Sequence, residues 1–186
     1  VQEASEIVRT VGQQLATAEP DEQVKIFALD ALHGGADITL SGGSFAENTA
    51  GTAAGAVYSN GSVSIAGSSF ARNLGTSFGG AIVADGVYAD LTVEMTGATF
   101  TDNAAGGYGG GAILVNARTA TILVDSSEFS RNSSTGHGGA LHAFSMDIGG
   151  AVSTRIDVSA STFTDNTAGG AGGAIQTASN GSPTRT

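Results

Sequence analysis

The chain has 186 residues, 29 of them glycine and only two proline, with 40% hydrophobic and 13% charged residues. It is too apolar for a disordered chain, its glycines follow no Gly-X-Y period, and its length suits one domain with a sizeable core. The net charge of −10, with Lys25 the single lysine, makes a phosphate-neutralising surface hard to build and sets nucleic acid aside as a partner. No apolar run is long enough for a membrane span, and the lack of cysteine removes disulfides and thiolate metal sites.

Residues 2–17, QEASEIVRTVGQQLAT, place Ile7, Val8, Val11 and Leu15 on one helical stripe that Pro20 ends, which predicts an amphipathic helical cap over residues 1–23. VKIFAL at 24–29 reads as an entering strand, and His33-Gly34-Gly35-Ala36 as a degenerate first corner. A repeat then takes over. F-x-x-N occurs at Phe45 with Asn48, Phe70 with Asn73, Phe100 with Asn103, Phe129 with Asn132 and Phe163 with Asn166. Eleven residues after each phenylalanine, twelve in the third copy, stands the alanine of a G-G-A-[ILV] element: 79–82, 110–113, 138–141 and 172–175, with AGAV at 54–57 a weaker version. Short alternating runs precede each phenylalanine: ITL from Ile38, VSI from Val63, LTVEM from Leu91, ILV from Ile122 and IDV from Ile156. Period-two alternation of β-branched residues predicts strands.

The phenylalanines are 25, 30, 29 and 34 residues apart, and nearly all the variation falls between G-G-A-[ILV] and the next strand. Residues 58–62, 83–90, 114–121 and 142–154 are therefore expected to be loops of free length at one corner. Each unit is too short to close a sheet alone, so its core must come from stacking. Single-turn units with one variable corner predict an all-β parallel β-helix, a solenoid of about five to six turns over residues 24–177, with neighbouring turns about 4.8 Å apart. Residues 178–186 form a tail that leaves the last turn open, so self-association or a further segment of the same protein is expected at that end.

In such a rod, equivalent positions form columns. The phenylalanine column predicts an internal aromatic stack, each ring contributing about 1.5 to 3 kcal/mol of burial. The column of Asn48, Asn73, Asn103, Asn132 and Asn166 fits an internal amide ladder at a bend. Between the two lie Glu47, Arg72, Asp102, Arg131 and Asp165, whose signs alternate turn by turn. An acid beside an arginine looks catalytic out of context, but here it is expected to be a register-setting charge ladder.

STGHGGALH at 134–142 resembles a site, yet no G-x-S-x-G nucleophile elbow accompanies its His-Gly-Gly, and its glycine pair is the repeated corner. By counting from each phenylalanine, His137 shares a column with Phe78 and Tyr108 and is expected to continue a ring stack. His142, two residues past the repeated alanine, is expected to face outward. Neither histidine has a third ligand at matching spacing, so no metal or other cofactor is expected. The longest variable segment carries His142, Phe144, Met146 and Ile148, apolar enough to be the candidate recognition loop for a surface protein or carbohydrate. No catalytic residue is assigned. Two rivals remain. A polysaccharide-acting lyase or hydrolase would use Asp125 and Asp157, read as equivalent columns in adjacent turns. An ice-binding solenoid would use the residues flanking each phenylalanine, although only Thr99 with Thr101 and Thr162 with Thr164 give T-x-T, and Glu128 interrupts it.

With F-x-x-N and G-G-A-[ILV] paired five times over residues 38–177, the chain resembles the repeats of chlamydial polymorphic outer-membrane proteins and of the bacterial and archaeal surface proteins that share them. The resemblance implies a right-handed parallel β-helix of pectate-lyase-like kind. It also implies extracellular or cell-surface display, as an adhesin or a structural stalk or filament.

Overall fold

A computed structural model of the chain describes residues 37–146 and 152–180. The expected helical cap, the entering strand, the degenerate first corner and Ile148 lie outside the described residues.

All regular structure among the described residues is β. The first turn holds β1 (Ile38–Ser41), β2 (Ser44–Ala46), β3 (Thr49–Ala50) and β4 (Val57–Ser59), and the second holds β5 (Val63–Ala66), β6 (Ser69–Ala71) and β7 (Leu74–Gly75). β8 (Ile82–Thr96) leads into β9 (Thr99–Thr101) and β10 (Ala104–Ala105), and β11 (Ile113–Asp125) into β12 (Glu128–Ser130) and β13 (Ser133–Ser134). β14 (Leu141–Met146), β15 (Ser153–Ser159), β16 (Thr162–Thr164), β17 (Thr167–Ala168) and β18 (Ile175–Asn180) complete the chain order.

Three parallel sheets run along the rod. One stacks the phenylalanine strands in the order β16-β12-β9-β6-β2, and a second stacks β17-β13-β10-β7-β3. The third, eight-stranded sheet follows β1-β5-β8-β11-β14-β18, with β4 on β8 and β15 on β11. Every pairing joins a strand to its counterpart one turn away, so the chain is a parallel β-solenoid, and Phe45 to Phe163 spans about four turns.

The alternating runs dictate this stacking. Register aligns Val63, Val93, Ile122 and Ile156 in one inward column and Ile65, Met95, Val124 and Val158 in the next. The first three members of each column are buried, so each strand supplies two apolar rungs to a core that no single turn could close. The second glycine of the G-G-A corner marks a close approach between turns in three of its copies. A Cβ on Gly80, Gly111 or Gly139 would overlap the carbonyl oxygen of Gly111, Gly139 or Gly173 in the next turn. The motif thus encodes backbone-on-backbone stacking, which leaves no room for a side chain.

Two of the expected loops are strands. Residues 83–90 lie within β8 and 114–121 within β11, each running on from the G-G-A corner without interruption. The leading half of β8 pairs with β4 and its trailing half with β5, so both halves have backbone partners one turn away. The extra residues are absorbed within strands, with a register shift between Ala117 and Thr119 where β11 meets β8. Residues 57–59 are likewise strand, and of the segment 142–154, His142, Phe144 and Met146 sit on β14 between β11 and β18. The candidate recognition loop is therefore, in its first half, the middle of a sheet.

Candidate functional site: ladders and the outer corner

The five phenylalanine rings form one column, with successive centroids 4.7 to 4.8 Å apart and planes within 7°. Phe70, Phe100 and Phe129 are fully buried, while Phe163 in the last described turn is half-buried.

Three residues on, the asparagine side chains form a directional chain. Nδ2 of Asn48, Asn73, Asn103 and Asn132 each donates to Oδ1 of the asparagine in the following turn, at 2.9 to 3.0 Å. Their backbone N–H groups donate to that same oxygen at 3.0 to 3.1 Å. The second Nδ2 hydrogen reaches back to the phenylalanine carbonyl of the preceding turn, as from Asn103 to Phe70 at 3.0 Å. A buried amide so placed has every polar atom satisfied, which is the condition for polarity in a core.

Between these ladders, Glu47, Arg72, Asp102, Arg131 and Asp165 all occupy the left-handed region, with φ between 54° and 59°. Only a sharp bend places the phenylalanine inward and, three residues later, the asparagine inward again. The residue at the bend is thrown outward in a conformation that costs an L-residue about 1 to 2 kcal/mol. Arg72 donates from Nε and Nη2 to the single oxygen Oε1 of Glu47 at 2.9 and 2.7 Å, whereas Arg131 forks onto both carboxylate oxygens of Asp102, Nε to Oδ1 at 2.7 Å and Nη2 to Oδ2 at 2.9 Å. The close contacts of the ladder are two pairs, each an acid with the arginine of the next turn, and among the described residues Asp165 makes no such contact. The Arg131 guanidinium holds the Asp102 carboxyl below the usual carboxylate range. Both pairs are exposed, worth about 0 to 1 kcal/mol each.

At the corner, His137 does not continue the ring column. Phe78 and Tyr108 stack at 5.1 Å, but the third turn carries an extra glycine in Gly109-Gly110-Gly111, and His137 pairs with Gly109 instead of Tyr108. Its ring meets His142 edge-on, centroids 5.7 Å apart, and its Nδ1 accepts from the Ala171 N–H at 3.0 Å. His142 faces away from the main core, as its position on β14 requires, yet it is only 4% exposed. The outer face of this sheet is covered: Val83, Leu114 and Ala54 are buried there under Tyr58 and Phe78 as a second, small core. His142 thus faces outward from the main core as expected, but it is buried there because the glycine-rich corner folds over it. Burial, reinforced by His137 beside it, pushes the His142 imidazole down to about 4, and the bond from Nδ1 to the Tyr108 carbonyl only partly opposes this. Phe144 packs edge-on against His142, and Met146 is half-buried at the end of the same strand.

Asp125 and Asp157 are not column equivalents. Asp125 pairs with Ser159 and Asp157 with Leu123, because the first follows its interior valine and the second precedes its own. Both line a shallow furrow of about 570 Å³ on the outside of the eight-stranded sheet, with Ser64, Glu94, Thr96 and Ser159. Hydrogen bonds from Ser159 and Ser126 hold Asp125 below the usual carboxylate range, whereas a general acid needs its proton held at neutral pH. Asp157 is engaged by Arg155 through Nε at 2.9 Å. In the T-x-T positions, Glu128 is exposed where threonine stands in the neighbouring turns, and Ser130 is buried, its Oγ 3.2 Å from Thr101 Oγ1. Among the described residues, no three histidine or acidic side chains gather to hold a metal ion, and no helix is long and apolar enough to cross a membrane.

A rod whose turns each carry F-x-x-N at one bend and G-G-A at another defines a class, the repeat-built parallel β-solenoids. The Chlamydia polymorphic membrane protein repeat matches the chain twice, over residues 126–143 and 160–178, so the chain carries repeats of that type. Each match runs from the bend before the phenylalanine strand to the strand after the G-G-A corner, in the fourth and fifth described turns. No curated protein and no solved structure matches the chain.

Proposed function

We propose that this chain is a non-catalytic module displayed at the cell surface, a right-handed β-helix that adheres or assembles through its outer corner. The single observation that carries the reading is that the two polymorphic membrane protein repeats coincide with the same part of two successive solenoid turns, from the bend before the phenylalanine strand to the strand after the G-G-A corner. Repeats of that kind come from outer-membrane surface proteins. The right-handed sense follows from the strong chiral preference of parallel β crossovers. The chemistry of the rod agrees with a structural role. Its buried amides are consumed by their own ladder and the ion pairs Arg72–Glu47, Arg118–Asp90 and Arg131–Asp102 join neighbouring turns, so the conspicuous polar groups serve stacking.

Adhesion belongs to the outer corner, where Phe144 and Met146 stand half-buried on β14 beside the segment reaching Ser153. The test has two parts. Protease shaving of intact source cells should release fragments of this chain; release only after lysis would refute surface display. Beads coated with the chain should bind host or sister cells, and the double variant Phe144→Ser, Met146→Ser should lose binding while keeping its far-ultraviolet spectrum. Undiminished binding by the variant would refute the corner as the adhesive surface.

A further inference from the structure

We propose that one water molecule is bound beneath the outer corner, donating one hydrogen to Nε2 of His142 and the other to Oδ1 of Asn116. The inference stands apart from the adhesive reading. Among the described residues, these two are the buried side-chain polar atoms that no protein donor reaches. They are also neighbours. Register pairs Leu114 with His142 and Asn116 with Phe144, and all four alternate with the interior residues Ile113, Val115, Leu141 and Ala143. Asn116 and His142 therefore stand diagonally on one face of adjacent strands, Cα atoms roughly 8 Å apart, a separation that the two side chains and one water can bridge.

The hydrogen positions fix what can bind. Nδ1 of His142 lies 3.1 Å from the Tyr108 carbonyl oxygen, which only accepts, so Nδ1 carries the ring hydrogen. Burial keeps the ring neutral at physiological pH, and Nε2 is then a bare lone pair. His142 is 4% exposed, and Phe144, opposite Asn116 and edge-on to the imidazole at 6.2 Å, closes the site from outside. Nδ2 of Asn116 donates to Asp85 Oδ1 at 2.8 Å, which orients the amide and leaves Oδ1 as its unused arm. Two buried acceptors side by side cannot satisfy each other. A small molecule with two donors can, and water is the smallest.

A metal ion suits the pair less well. Nδ1 of His137 accepts from the Ala171 N–H, so that ring's hydrogen sits on Nε2 and it offers no lone pair. His142 and Asn116 then supply two ligands where a zinc ion takes about four. Water also completes a run of hydrogen bonds across four successive strands, β4, β8, β11 and β14. Tyr58 Oη donates to Asp85 Oδ2 at 3.2 Å, Asn116 donates to the other oxygen of Asp85, the water joins Asn116 to His142, and His142 donates to Tyr108. The glycine-rich corner is thereby tied to the sheet it covers.

Water–protein Overhauser spectroscopy on the isotope-labelled full chain at neutral pH tests the site. A long-lived water should give cross-peaks, with the sign of slow tumbling, to the two ring hydrogens that flank Nε2 of His142 and to the Asn116 amide hydrogens. Asn116→Leu should remove the peaks at His142. His142→Leu, which matches Leu114 in its column, should remove those at Asn116 and carries the test alone if the first variant does not fold. A crystal structure should place one water oxygen about 2.7 to 3.2 Å from both atoms. Absence of the cross-peaks, or their persistence in the variants, would overturn the proposal. So would an Asn116 amide turned to donate straight to His142 Nε2, or a metal ion about 2.0 to 2.1 Å from that nitrogen.

Discussion

Replacing Phe100 with alanine tests whether the phenylalanine column is a cooperative spine or five independent core residues. Phe100 is fully buried and contacts two rings, Phe70 at 4.7 Å and Phe129 at 4.8 Å. Truncating a buried phenylalanine costs about 3 to 5 kcal/mol in transfer and cavity terms, and the two lost stacking contacts place this site at the upper end of that range. Phe163 contacts one ring and is half-buried, so Phe163→Ala should cost about half as much, roughly 1.5 to 2.5 kcal/mol. Turns in a solenoid couple only to their neighbours, so losing the middle ring should also separate the two halves. Urea titration followed by far-ultraviolet circular dichroism reads both effects, the first as a lower midpoint and the second as a shallower transition. The reasoning is refuted if Phe163→Ala destabilises as much as Phe100→Ala, or if Phe100→Ala costs less than about 2 kcal/mol.

Asn103→Ala should destabilise by more than about 3 kcal/mol, because it strips the acceptor from the Asn73 N–H and Nδ2 and the donor from the Phe70 carbonyl, each about 1 to 3 kcal/mol when buried and unpaired. Thermal melts would show it, and a cost below 1 kcal/mol would mean that the ladder is dispensable. Gly80→Ala should prevent stacking against Gly111, whereas Gly67→Ala, at φ 59° with open space around it, should lose only about 1 kcal/mol; equal losses would contradict the account of the corner. Arg131→Gly should change stability little, since relief of the left-handed bend offsets an exposed ion pair; a loss above about 2 kcal/mol would show the pair to be far stronger than its exposure allows. The folded state holds His142 near 4 against 6.5 for the free side chain, so it favours the neutral ring. That contribution, about 3 kcal/mol, is complete above pH 6.5 and is lost as pH falls toward 4. His142→Leu, matching Val83 and Leu114 in its column, should lose less melting temperature than the parent between pH 7 and 4.5, and identical losses would refute the buried neutral imidazole.

The periodic part of the fold was legible in the sequence because the constraint at each bend is local. A phenylalanine pointing in, one residue thrown out and an asparagine pointing in again fit a single sharp bend, and that geometry recurs wherever F-x-x-N does. The strand identity of 83–90 was not legible. Asp85-Gly86-Val87-Tyr88 has no alternation, and its extension is set from outside, by the pairing of Asp85 and Gly86 with Asn116 and Ala117 of the next turn. Column counting failed at His137 because one inserted glycine at 109–111 moves its partner by a residue; at His142 it found the outward side but not the burial, because period-two reading tells which side a residue faces and not what covers that side. The left-handed bend at Arg72 or Glu47 had no signal in its own residue type. A neighbouring column did carry one, since Gly42, Gly67 and Gly97 mark another left-handed bend that Ser126 and Ala160 then adopt without glycine.

The pairing of each acidic turn with the arginine turn that follows limits how such a gene can change in length. Looping out the single turn that carries Arg72 would splice Glu47 directly beneath Asp102, like charge on like charge, while every ring and amide still found a partner. Looping out two successive turns would preserve all three columns. A two-turn step thus keeps rings, amides and charges in their columns, whereas a one-turn step keeps only the first two, at the small cost of about 0 to 1 kcal/mol that one exposed pair carries.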